Sequence, residues 1–132
     1  MSFTQAIASG FANYVNFSRR ATRSEYWFWV LFTFLVSMLA LALDHVVAPK
    51  SELFSGLWNF ATLLPGLAVG VRRLHDTNRS AWWLLLLLVP LIGWIVLTIL
   101  LCLEGSPGYN RFGPSPLPAP PGPRHRFREV AP

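Results

Sequence analysis

The chain has 132 residues, 53% of them apolar and only 13% charged, with a net charge of +5. Soluble domains carry about 25% charged residues, so this composition argues against a soluble globular fold. It also argues against a nucleic-acid binder, because the arginines flank apolar runs instead of forming a stripe on a polar face.

The first element in chain order is amphipathic. Phe3, Ile7, Phe11 and Tyr14 recur at helical spacing, and Thr4, Gln5, Ser9, Asn13 and Asn16 occupy the other side. This pattern predicts a helix of about twelve residues lying in the membrane interface. The first 18 residues carry no basic side chain, and no long apolar run begins before Tyr26. A cleavable signal peptide is therefore not expected.

Three uncharged apolar runs follow: Tyr26–Leu43, Leu53–Val71 and Ser80–Leu103, of 18, 19 and 24 residues. At about 1.5 Å per residue each is long enough to cross, or nearly cross, a hydrocarbon core roughly 30 Å thick. Backbone groups in lipid must bond internally, so such runs are expected to be helices. Thr22 and Glu25 match a capping box at the start of the first run. Trp27 and Trp29, and later Trp82 and Trp83, are suited to headgroup depth. Arg72 and Arg73 are expected to stop the second helix, Ser80 to cap the third, and Pro90 to kink it. The lone cysteine, Cys102, excludes an internal disulfide and reads as a small buried hydrophobe.

The expected fold is thus an all-α polytopic membrane protein with three transmembrane helices, spanning about 26–43, 53–71 and 80–103, and an N-terminal interfacial helix. Residues 1–116 form one membrane domain. The Pro- and Arg-rich segment 117–132 is expected to be a flexible tail. In this arrangement Arg19, Arg20, Arg23, Arg72, Arg73 and Arg79 share one side, against Lys50 and Arg111 near a span on the other. The imbalance predicts a cytoplasmic N-terminus and an external C-terminus. A re-entrant second run would instead leave the tail cytoplasmic.

Four ordered segments resemble a known family. They are Phe17-Ser-Arg-Arg-Ala-Thr-Arg-Ser-Glu-Tyr-Trp27, Gly70-Val-Arg-Arg-Leu-His-Asp-Thr-Asn-Arg-Ser-Ala-Trp-Trp83, Pro90-Leu-Ile-Gly93 and Gly105-Ser-Pro-Gly-Tyr-Asn-Arg-Phe-Gly-Pro-Ser-Pro116. Together they are similar to the bacterial inner-membrane family called domain of unknown function 805. The resemblance implies a small polytopic protein of the inner membrane and supplies no catalytic residue. The chain departs from the family pattern at Arg19-Arg20, where Gly-Arg is usual shortly after the first Phe, and at Ser80-Ala81-Trp82-Trp83, where Ser-Gly-Trp-Trp is usual.

The candidate site is a cluster of Arg20, Arg23, Glu25, Arg72, Arg73, Asp76 and Arg79, beside His75. Glu25 is placed to pair with Arg72 or Arg73, and Asp76 with Arg20 or Arg23. The excess of guanidinium groups suits phosphate, so the cluster reads either as structural ion pairs and a topology signal or as a site for anionic lipid. Gly66 and Gly70 form a small-xxx-small pair serving a homo-oligomer or packing within the chain, and Asn59 reads as an interhelical hydrogen-bonder. His75 and Asp76 fall short of the three or four ligands a metal needs, and no cofactor is expected. The functional expectation is a non-enzymatic inner-membrane component that binds anionic phospholipid or a partner protein, with no nucleic acid. The alternative is a small oligomeric transporter or channel subunit.

Overall fold

The structure, a computed structural model, describes residues 1–118, so the expected tail lies, apart from its first two residues, outside the described residues. Helix α1 spans Phe3–Ala12, α2 Arg23–Val47, α3 Leu53–Asp76 and α4 Ile92–Cys102, with a 3₁₀ segment at Ala81–Leu88 before α4. The fold is all-α.

Ser2 caps α1 in a full capping box with Gln5. The helix is laid against α2 through Gly10, where a Cβ would collide with the Trp29 ring. Phe3 meets Phe28 and Phe32 edge-on, and Phe11 meets Trp29 in the same way. Much of the aromatic face expected to seek the interface thus finds α2. Trp29 is only 1% exposed, so it is a core residue and not a headgroup-level one.

Thr22 caps α2 by accepting from the Glu25 amide at 3.1 Å. The reciprocal half of the capping box is not made, because the Glu25 carboxylate turns instead to Arg72 and Ser9. At the far end of α2, Asp44 accepts from the amides of Phe54 (2.8 Å) and Ser55 (3.0 Å) and from the Ser55 hydroxyl (2.6 Å). The last turn of α2 therefore caps the first turn of α3, whose free N–H groups otherwise lack partners. Trp58 Nε1 also donates to the Thr33 carbonyl, joining α2 and α3 at mid-length. Helix α3 runs through Arg72 and Arg73 to Asp76. The arginines do not stop it, because both side chains are buried and paired.

The third expected span does not form. Among the described residues two helices, α2 and α3, are long and apolar enough to cross a membrane. The run from residue 80 to 103 is instead a hairpin. Its first arm is the eight-residue 3₁₀ segment, its second the eleven-residue α4, and the chain reverses at Pro90 and Leu91. Pro90 has no N–H for a helical ladder, and Leu91 takes a left-handed φ of 59°. Gly93 makes the reversal possible, since a Cβ there would overlap the Leu86 carbonyl oxygen and crowd Val89. Ser80 precedes the first arm but makes no side-chain capping bond. Leu97 and Leu101 pack on Leu74 of α3, with Tyr26 and Trp27 of α2 alongside. Cys102, at the end of α4, is exposed and not buried.

Of the expected packing residues, Gly70 faces the hairpin, where a Cβ would meet Leu84 at 3.9 Å, while Gly66 opens onto empty space within the chain. Asn59 Oδ1 accepts from Ser37 of α2 at 3.4 Å, an interhelical bond.

Candidate functional site

Both ends of the hairpin, the start of α2 and the end of α3 converge on the arginine cluster. Asp76 sits at its centre. Arg20 Nε donates to Asp76 Oδ1 at 2.9 Å and Arg73 Nη1 to Oδ2 at 2.6 Å. Arg72 Nη1 pairs with Glu25 Oε1 at 2.6 Å, and the Ser9 hydroxyl donates to the same oxygen at 2.6 Å. These are the three ion pairs among the described residues, and in each the side chains are at most 5% exposed.

The remaining guanidinium donors hold backbone. Arg20 uses all five N–H groups: Nε on Asp76, Nη1 on the Gly108 (2.6 Å) and Gly113 (3.2 Å) carbonyls, and Nη2 on those of Asp76 (3.2 Å) and Ser106. Arg73 reaches the Leu101 carbonyl at 3.0 Å through Nε, and the Leu103 carbonyl through Nη2. It thereby supplies donors to the free carbonyl end of α4, where a cation also suits the helix dipole. Arg72 contrasts with both, since its Nε and Nη2 are buried and make no hydrogen bond within the protein.

Residues 105–113 close over the cluster. The Ser106 amide donates to the Asp76 carbonyl at 2.7 Å, and Asn110 Nδ2 to the His75 carbonyl at 2.9 Å. Phe112 stacks on His75 with ring centroids 3.9 Å apart, and Arg111 lies over the Phe112 ring at 4.8 Å. The His75 Nδ1 faces the Arg19 carbonyl at 3.1 Å, fixing the segment before α2 against the end of α3. Gly105 is required where the chain passes Asp76, because a Cβ would fall onto the carboxylate.

The sequence-predicted residues thus separate into two classes. Arg20, Glu25, Arg72, Arg73 and Asp76 are buried in ion pairs. Arg23 is exposed, its Nη1 at 3.5 Å from the Cys102 carbonyl, and Arg79 is half-buried with a bond to the Thr77 carbonyl at 3.3 Å. Two exposed arginines outside the predicted set, Arg19 and Arg111, belong to the same end. The three-span expectation puts Arg111, after the third run, on the opposite side. Its Nη2 donates to the Asn78 carbonyl at 3.1 Å, which places it beside Arg79. Among the described residues no group of three or more His, Cys, Asp or Glu is arranged to hold a metal.

Comparison with known proteins shows the family. The family described as "Protein of unknown function (DUF805)" matches residues 14–114. The chain is 45% identical over 108 residues to the inner membrane protein YhaH of Escherichia coli strain K12, covering 79% of this chain and 89% of that protein. It is also 45% identical over 104 residues to the inner membrane protein YhaI of the same strain, covering 79% and 88%. No solved structure matches.

Proposed function

The chain belongs to the DUF805 family, as a multi-pass helical protein of the bacterial inner membrane, and from that premise we propose that it is a non-enzymatic component binding anionic phospholipid through an exposed arginine rim. The rim is Arg19, Arg23, Arg79 and Arg111. The observation that carries the reading is the division of labour at this end of the bundle. Both carboxylates of the cluster, Glu25 and Asp76, are consumed by buried arginines, so that among the described residues the rim arginines have no carboxylate partner. Among the described residues Glu104, just after α4, is the one exposed acid at this end of the chain's helices. A guanidinium fork suits phosphate oxygens, and each basic side chain near an anionic surface contributes about 1 kcal/mol. The rim faces the cytoplasm in this reading, because Lys50 alone stands in the loop at the opposite end and Arg and Lys concentrate on the cytoplasmic side.

The test is a fourfold variant, R19Q/R23Q/R79Q/R111Q, reconstituted in nanodiscs and assayed for bound cardiolipin and phosphatidylglycerol against phosphatidylcholine. Loss of at least about tenfold in anionic-lipid retention with unchanged thermal unfolding supports the reading. Unchanged retention overturns it. Unchanged lipid with loss of a co-purifying membrane protein or second copy replaces lipid by a protein partner.

A further inference from the structure

We infer that the hairpin formed by residues 81–102 enters one leaflet of the bilayer and returns to the side it came from, with acyl chains of that leaflet as its occupant. The segment after it is then on the same side as the segment before α2.

The arms have matching lengths. Eight residues of 3₁₀ helix at about 2.0 Å rise, and eleven of α-helix at about 1.5 Å, each span roughly 16 Å. This is about half of a hydrocarbon core roughly 30 Å thick, which puts the Pro90–Leu91 tip near the midplane. Both feet are fixed at the same end of the bundle. Four residues separate the end of α3 from the first arm, and the second ends where Arg73 holds the Leu101 and Leu103 carbonyls. Arg20 holds the chain beyond them at Ser106 and Gly108.

The tip also meets the requirement that lipid imposes on irregular backbone. Val89 N donates to Leu86 O, Ile92 N to Pro90 O, Gly93 N to Val89 O and Ile95 N to Leu91 O, all at 2.8–3.1 Å. Trp94 Nε1 donates to Leu87 O at 3.0 Å. Most of the reversal's amides are therefore bonded within it, which lowers the cost of placing irregular backbone in hydrocarbon. Its outer surface carries no charge. Leu88, Leu91 and Ile92 are 78%, 68% and 71% exposed, and Trp82, at the foot of the first arm, is 76% exposed, at a depth where indole is favoured.

The experiment compares three single-cysteine proteins in a Cys102→Ser background: Ser18→Cys before α2, Ser51→Cys between α2 and α3, and Pro116→Cys after the hairpin. Each replaced residue is exposed. Inner-membrane vesicles of both orientations are treated with a membrane-impermeant maleimide. The hairpin predicts that Pro116→Cys labels in the orientation that labels Ser18→Cys, and Ser51→Cys in the other. Labelling of Pro116→Cys together with Ser51→Cys overturns it. A paired set of C-terminal alkaline phosphatase and fluorescent-protein fusions to the unsubstituted chain reads the same side independently of any cysteine variant. The outcome does not depend on lipid binding by the rim.

Discussion

The Tyr14 hydroxyl donates to the Ala61 carbonyl, the acceptor that Pro65 leaves without its helical donor. A proline removes the N–H that would bond the carbonyl four residues earlier. Ala61 is exposed on the apolar helix α3, and inside a bilayer no water would replace the missing donor. Tyr14, two residues beyond α1, supplies it. Tyr14→Phe should therefore lower stability by about 1–3 kcal/mol, the cost of an acceptor left unpaired in hydrocarbon. Pro65→Ala restores the missing amide, so Tyr14→Phe should cost much less in that background. Thermal unfolding of the four proteins of the cycle in one detergent measures the coupling, and additive effects would show that the hydroxyl is not replacing the lost donor.

The arginines at 20 and 72 predict different tolerance of lysine. Arg20 spends five N–H groups on five acceptors in a fixed fork, whereas Arg72 spends one on Glu25. A lysine has three donors on a single point charge. Arg20→Lys should cost about 3 kcal/mol or more, since carbonyls of the covering loop lose their donor. Arg72→Lys keeps the charge pair and should cost no more than about 1 kcal/mol. Equal losses for the two, measured by chemical denaturation, would contradict the division drawn between them.

Asp76 separates from both because it neutralises two buried cations. Asp76→Asn leaves Arg20 and Arg73 without a counter-charge and should cost at least about 3–5 kcal/mol. Removing the negative charge of the exposed Glu104 by Glu104→Gln should cost under about 0.5 kcal/mol, as surface substitutions usually do. Expression level and unfolding midpoint of the two variants give the comparison.

The membrane character, the capping by Thr22 and the meeting of residues 20–25 with 72–76 are legible in the sequence. Long uncharged runs admit one physical solution, and flanking charges of opposite sign on antiparallel helices are brought to one level. The hairpin is not legible by the same means. A run of 24 apolar residues has the same composition whether it crosses or folds back, and the difference rests on Pro90, which alone reads as a kink, acting together with Gly93. The burial of the arginines was hidden for a related reason. It depends on Gly105 and the loop after it covering the cluster, a contact between segments about thirty residues apart. Sequence-level topology placed that loop on the other side, and the exposed Arg111 with it.

Gly105 offers a direct test of the cover. An added Cβ meets the Asp76 carboxylate, which cannot yield without releasing Arg20 or Arg73. Gly105→Ala should loosen residues 105–113 while leaving α2 and α3 folded. Hydrogen exchange should rise by at least about tenfold at the Ser106 amide, equivalent to about 1.4 kcal/mol of lost local stability, with the α2 and α3 amides unchanged. Unchanged protection at Ser106 would mean that the passage past Asp76 has room for a side chain.

Gly93 carries the hairpin's geometry. Its backbone is helical, and the requirement for glycine comes from the Leu86 carbonyl and Val89 side chain pressed against it from the first arm. Gly93→Val places three carbons in that contact and forces the arms apart, breaking the Gly93 N to Val89 O and Trp94 to Leu87 bonds that close the tip. The cost should reach about 2–4 kcal/mol, from overpacking together with the unpaired groups left in hydrocarbon. Pro90→Ala tests the opposite sense, because it restores an N–H without adding volume and should favour straightening of the run. Indole fluorescence of Trp94 and the unfolding midpoint should change in Gly93→Val. A protein that accepts valine at 93 with no change in either would show that the two arms do not make the close approach on which the reversal depends.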